Sequence, residues 1–147
     1  MAETAFQSTT IAAAPERVWA VVTDFDRYPE WAKDVKDVVV RLRDQQGRPV
    51  EVEFRASALG RSTHYTLGYD YSQAPESFSW HFIEGDMLRR LDGTYRFEAE
   101  DDGSTRVHYD LTVEVAVPLP GLIKRRAASL IMGSALKELK AQVDRVA

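Results

Sequence analysis

Only one long stretch of this chain repeats its apolar residues at helical spacing, and it comes last. Between Gly121 and Val146, the residues Leu136, Leu139, Val143 and Val146 recur at intervals of three and four, which sets them on one face of an α-helix. Ala128, Met132 and Ala135 extend that stripe toward the N-terminus. A second apolar patch, made of Ile123, Ala127, Leu130 and Ile131, sits a third of a turn or more away. The second half of the helix is therefore amphipathic, and the first half is apolar on two sides. Gly133 and Ser134, poor helix formers in the middle of the run, mark a point where bulk is missing. A helix of this length extends about 39 Å. Its stripe must be covered, and almost everything before it reads as strand.

The first strand runs from Ala5 to Ile11. Ala14-Pro15-Glu16 then opens a helix, because proline suits the first helical position and glutamate the positive helix end. Val18, Trp19, Val21 and Val22 give it an apolar face. Thr23-Asp24 ends it, with Asp24 expected to cap a second short helix over Phe25–Tyr28 and Pro29 to restart a turn carrying Trp31. From Val35 the period becomes two. Val38, Val40 and Leu42 form one face, then Val50, Val52, Phe54 and Ala56, then Tyr65, Leu67, Tyr69 and Tyr71. Phe78, Trp80 and Phe82 follow, then Leu91, Tyr95 and Phe97, with Gly93 marking a bulge or a close approach. Val107, Tyr109, Leu111, Val113, Val115 and Val117 complete the series. Turns fall at Gln45-Gln46-Gly47, Leu59-Gly60-Arg61, Ala74-Pro75-Glu76, Glu84-Gly85-Asp86 and Asp101-Asp102-Gly103. Pro118 and Pro120 turn the corner into the last helix. One apolar and one polar face per strand is the signature of an antiparallel sheet wet on one side. The expected fold is α+β: a seven-stranded antiparallel sheet around the C-terminal helix, with two short helices after the first strand.

Composition narrows the function. The 147 residues are read as one domain, 1–147. A net charge of -4 argues against a general nucleic-acid binder. With no cysteine, a disulfide framework and a thiolate metal site are both excluded. MAETAFQSTT has neither the basic nor the apolar part of a signal peptide. No run approaches the roughly 18 apolar residues of a membrane span, so a cytoplasmic location is expected. The chain contains no phosphate-binding glycine loop, HExxH or GxSxG, and Asp24-Phe25-Asp26 reads as a helix cap rather than a metal site. No metal and no cofactor is expected.

Three stretches carry a family resemblance. The first is Ile11-Ala12-Ala13-Ala14-Pro15-Glu16-Arg17-Val18-Trp19 running into Asp24-Phe25-Asp26-Arg27-Tyr28-Pro29-Glu30-Trp31. The second is Trp80 with Glu84-Gly85, followed by Leu91-Asp92-Gly93-Thr94-Tyr95-Arg96-Phe97. The third is Val115-Ala116-Val117-Pro118-Leu119-Pro120. In this order they resemble the START-like (SRPBCC) superfamily and its polyketide cyclase/dehydrase family, over nearly the whole chain. The resemblance implies a helix-grip fold, with the sheet curled around the C-terminal helix and a hydrophobic ligand cavity between them. Its members include lipid and quinone carriers, plant hormone binders and polyketide aromatase/cyclases.

The inward phase of the strands places Phe54, Tyr65, Leu67, Tyr69, Trp80, Tyr95, Phe97 and Tyr109 toward the helix. A packed core explains any one of them. Several tyrosines facing one interior also fit a hollow, since buried phenols need hydrogen-bond partners, and apolar walls with a few polar groups make a small-molecule site. The candidate ligand-binding set is Phe54, Tyr65, Leu67, Tyr69, Trp80, Arg89, Tyr95, Tyr109, Leu130 and Ile131. Arg89 is in phase with Leu91, which points it inward as an anchor for a carboxylate, enolate or phenolate; a solvated arginine at a mouth is the other reading. His64, His81 and His108 fall on the polar phase and are expected in solvent, His81 being the one a bulge would most readily turn inward.

The first functional expectation is binding or transport of an aromatic, polyketide- or lipid-like molecule. The second is aromatase/cyclase or dehydratase chemistry on a poly-β-ketone, with Arg89, Tyr95 and Tyr109 as candidate catalytic groups. The aromatase/cyclases that the chain resembles carry a cavity arginine on the middle strand. Here that strand offers Tyr65, Leu67, Tyr69 and Tyr71 inward instead, a departure that sets binding ahead of cyclisation. The third is docking to a membrane surface or a partner through Lys124, Arg125 and Arg126, which stand at the helix end that disfavours cations. Either a monomer or a homodimer fits these readings.

Overall fold

The computed structural model describes residues 2–58, 61–116 and 120–146, with the side chains of Ala58, Leu122 and Lys124 outside that description. Strand β1 (Glu3–Ile11) leads into helix α1 (Pro15–Val22), a 3₁₀ turn (Phe25–Arg27) and helix α2 (Tyr28–Trp31). Six strands follow: β2 (Val35–Arg43), β3 (Pro49–Ala58), β4 (Arg61–Asp70), β5 (Ser77–Gly85), β6 (Leu88–Ala99) and β7 (Thr105–Val115). Helix α3 (Gly121–Val146) closes the chain. The strands form one seven-stranded sheet in the order β1-β7-β6-β5-β4-β3-β2. Every pairing is antiparallel, so the sheet is a meander in which β1 returns beside β7.

Local chemistry explains the boundaries. Pro15 and Glu16 occupy the first turn of α1, and Val18 and Val22 are its buried face. Asp24 does not cap by its side chain; its carboxylate instead lies 3.7 Å from Arg27. The joint between α1 and α2 is held by the Tyr28 hydroxyl, which donates to the Val22 carbonyl. Gly103 takes φ 88° in the β6–β7 turn, a conformation costly for any residue with a Cβ. Gly93 is a close approach: a Cβ there would stand 2.4 Å from Trp80 Cζ2 and 2.8 Å from the Asp110 carbonyl oxygen. The expected Leu59-Gly60 turn and the Pro118 corner lie outside the described residues.

Side chains from the inner sheet face, α1 and α3 make one core. Helix α3 packs on β1, β7, α1 and α2. Its stripe is buried at Ala128, Met132, Leu136, Leu139 and Val143, while Val146, expected to continue it, is 52% exposed. Gln7 Nε2 donates to the Ser129 carbonyl at 3.1 Å and ties the helix to β1. Two register breaks move residues off the faces that strict alternation predicts. The β2–β3 ladder shifts between Val40 and Leu42, and Leu42 emerges on the outside. The β6–β7 ladder shifts between Leu88 and Arg90, which decides the fate of Arg89.

Candidate ligand-binding site

A cleft of about 270 Å³ opens between the first half of α3 and the sheet. Strands β6 and β7 supply Leu88, Leu91, Val113 and Val115; β3 and β4 supply Ala56, Ser57, Thr63 and Tyr65. Helix α3 supplies Ala127, Leu130, Ile131, Ser134, Ala135 and Glu138, the segment after α2 supplies Ala32 and Asp34, and β2 supplies Val35. Among the described residues, no lysine, arginine or histidine lines it. Leu130 and Ile131 reach it because helix geometry carries this second face away from the buried stripe. The small Ala127 and Ser134 leave the hollow between them unfilled.

The rim is pinned at the β5–β6 turn. Thr63 Oγ1 donates to Asp86 Oδ1 at 2.6 Å, and the His64 backbone N–H donates to the same oxygen at 3.1 Å. The Thr63 hydrogen bond is the main force holding the Asp86 carboxyl below its usual range.

Three of the expected residues, Tyr65, Leu130 and Ile131, line the cleft. Phe54, Leu67, Trp80, Tyr95 and Tyr109 are buried, and Tyr69 is half-buried. The aromatic residues of this set form a layer behind the cleft: Phe54 stacks on Tyr65 with ring centres 5.3 Å apart, and Tyr95 and Tyr109 are 4.4 Å apart. Trp80 touches both of the latter rings, at 5.4 and 5.7 Å. Burial pushes the phenols of Tyr65, Tyr69, Tyr95 and Tyr109 upward, and for Tyr69, Tyr95 and Tyr109 neighbouring phenols add to it. These groups are therefore neutral at physiological pH and able both to donate and to accept. Among the described residues, none of these four hydroxyls has a hydrogen-bond partner in the protein. Among the described residues, the one fully sealed side-chain polar atom lacking a partner is His108 Nδ1, so none of these four phenols is completely sealed.

The inward placement of Arg89 does not hold. The register break between Leu88 and Arg90 inserts an extra residue, so that Leu88 and Leu91 both face inward although three positions apart. Both arginines between them are exposed: Arg89 lies 3.9 Å from Glu114, its side chain 68% exposed, and Arg90 Nε donates to Asp92 at 2.7 Å. Alternation read from Leu91 backwards could not detect the inserted residue. His64 and His81 are exposed as expected, with His81 over Gly68 on the outer face. His108 is mostly covered, stacked beside Phe6 and bonded to Glu98 at 3.0 Å.

Sequence reasoning passed over Asp34, Thr63 and Glu138. Thr63 is in phase with Tyr65 and was findable on that ground. Asp34 sits in the turn before β2 and Glu138 on the flank of α3, where no periodicity announces them. A second depression, of about 260 Å³, lies between the end of α1 and the β2–β3 hairpin. Its arginines are already engaged, Arg43 at 3.7 Å from Asp26 and Arg48 at 2.8 Å from Asp44.

An antiparallel sheet closed by one long helix over an apolar hollow defines a helix-grip protein of START type. The chain belongs to the family described as polyketide cyclase / dehydrase and lipid transport, whose model matches residues 3–144. Its structure is similar to a START superfamily protein from Mycobacterium smegmatis, with TM-score 0.91 and 24% identity over 98% of this chain and 99% of that one. It is similar also to the Zhui aromatase/cyclase from Streptomyces sp. R1128, with TM-score 0.83 and 16% identity over 99% and 95% of the two chains. The protein TTHA0849 from Thermus thermophilus gives TM-score 0.81 and 25% identity over 98% and 99%. No curated protein matches the sequence. At such identities the first two likenesses speak for the fold.

Proposed function

We propose that this protein binds a hydrophobic aromatic, polyketide- or lipid-like small molecule in the cleft between α3 and the sheet. The observation that carries the reading is an apolar hollow into which Tyr65 and the exposed faces of Leu130 and Ile131 project. Phe54, Leu67, Tyr69, Trp80, Tyr95 and Tyr109 form the layer beneath, and their unpartnered phenols offer hydrogen bonds to a ligand that penetrates further. Titration with quinones, fatty acids and aromatic polyketides, followed by tryptophan fluorescence and calorimetry, tests it. Saturable binding lost on filling the cleft by Ala127→Trp is expected, and silence toward every class would remove the reading.

Cyclisation of a poly-β-ketone is the weaker alternative, because the cation expected to steady an enolate, Arg89, is on the outside. The enzyme would have to rely on Tyr95 and Tyr109. Incubation with a minimal polyketide synthase should leave the ring pattern unchanged. A membrane role has one observation in its favour: Ile123, Leu130 and Ile131 are exposed on the helix that also exposes Arg125 and Arg126. Salt-dependent sedimentation with anionic vesicles, lost in the R125A/R126A double variant, is the expected sign. No helix among the described residues is long and apolar enough to cross a membrane. A cytoplasmic location fits the cysteine-free sequence and is checked by cell fractionation.

A further inference from the structure

The cleft is not electrically neutral. Among the described residues, the two charged residues that line it, Asp34 and Glu138, are both acidic. The Lys33 backbone N–H donates to Glu138 Oε1 at 3.3 Å, which holds the segment that carries Asp34 against α3 at Glu138. Asp34 also acts on the Tyr65 phenol, adding to the upward push that burial gives it. Lys33 and Lys36 are on the same segment, but Lys36 Nζ turns back to the Lys33 carbonyl at 3.0 Å, and neither lysine lines the cleft. Strands β6 and β7 wall the cleft with Leu88, Leu91, Val113 and Val115. The hollow thus combines apolar walls with an acidic pair of lining residues.

We propose that the cleft selects its ligand by head group, taking amphiphiles that end in a cationic or hydrogen-bond-donating group and rejecting carboxylates. This rests on the cleft being the ligand site. The apolar part of the ligand lies against β6 and β7, and its amine or hydroxyl reaches Asp34 and Glu138. A carboxylate in the same pose would meet two like charges, and among the described residues no cation lines the cleft to offset them. The choice reverses the one that an inward Arg89 would have made. At about 270 Å³ the cleft is small for a ligand site, which suits a two-ring molecule.

Three ligands of matched shape test the selection by calorimetry: 2-naphthylmethylamine, 2-naphthalenemethanol and 2-naphthoate. The expected order is amine, then alcohol, then naphthoate, with the ends at least about tenfold apart. The D34N/E138Q double variant should bring amine and naphthoate within about threefold, with the alcohol no longer set apart from either. The E16Q/D101N variant, with the same change in net charge away from the cleft, should keep the wild-type order. Naphthoate binding as tightly as the amine, or an order that survives D34N/E138Q, would overturn the head-group selection while leaving the cleft as a binding site. If none of the three binds, the cleft reading itself fails and takes this inference with it.

Discussion

The two halves of α3 are built from the same kinds of residue and are put to opposite uses. In the second half, Leu136, Leu139 and Val143 are buried to 4%, 0% and 0% exposure. In the first half, Ile123, Leu130 and Ile131 keep 37%, 55% and 36%. The stripe that starts at Ala128 and Met132 has a partner surface along β1, β7 and α1. The second face meets a hollow, because Ala127 and Ser134 contribute little bulk and the β6 bulge turns Arg89 away rather than across the gap. Apolar character therefore does not separate core from site in this fold. What separates them is whether the opposing surface supplies enough volume to fill the space.

The packed side should fail together, and the most severe way to break it is alkali. All six tyrosines have phenols pushed above the ordinary range, with burial the leading cause in each. An acid whose folded pKa exceeds its unfolded value contributes stability below the unfolded pKa and loses it as pH rises through the folded one. With unfolded phenols near pH 10, the expected result is no phenolate absorbance from the folded protein at that pH. A single cooperative rise should then coincide with the loss of far-ultraviolet dichroism. Phenols that titrate one by one while the fold persists would show that the aromatic layer is already wet.

Two substitutions in α3 sharpen the contrast between its halves. Leu139→Ala removes a fully buried side chain and should cost about 2–5 kcal/mol in urea unfolding. Leu130→Ala, the same change on the cleft face, should stay within about 0.5 kcal/mol. Gly93→Ala comes next in size, since the new methyl would collide with Trp80 and the Asp110 carbonyl. It should cost about 1–3 kcal/mol by overpacking, with a shift in tryptophan emission. Equal losses at Leu139 and Leu130 would mean that the hollow is closed in solution.

Much of this contrast was legible in the sequence, and the rest was not, for identifiable reasons. Alternation from Val50 to Val115 and the period of α3 state which residues face inward, because each face is uniformly apolar or polar. They do not state depth. Trp80 and Tyr65 share a phase, yet one lies in the packed layer and the other on the cleft wall. Leu42 and Arg89 were misplaced for one reason, a register break that shifts the phase without any glycine or proline to announce it. Asp34 and Glu138 came together only through tertiary packing of the segment after α2 against α3.

The smallest expected effect on stability bears most directly on function. Leu130→Ser and Ile131→Ser leave the buried stripe intact, so the unfolding midpoint should barely move. Each removes apolar area from the cleft wall, and at about 25 cal/mol per Å² the loss on binding a neutral two-ring ligand should be several-fold in Kd per site. The double variant should lose more than either single one, with coupling between the two adjacent positions. Leu139→Ser is the counterpart: it should unfold the protein before it can reveal any change in affinity. Binding that survives L130S/I131S at full strength would move the ligand away from α3 and toward the aromatic layer, where Tyr95 and Tyr109 would become the residues to vary.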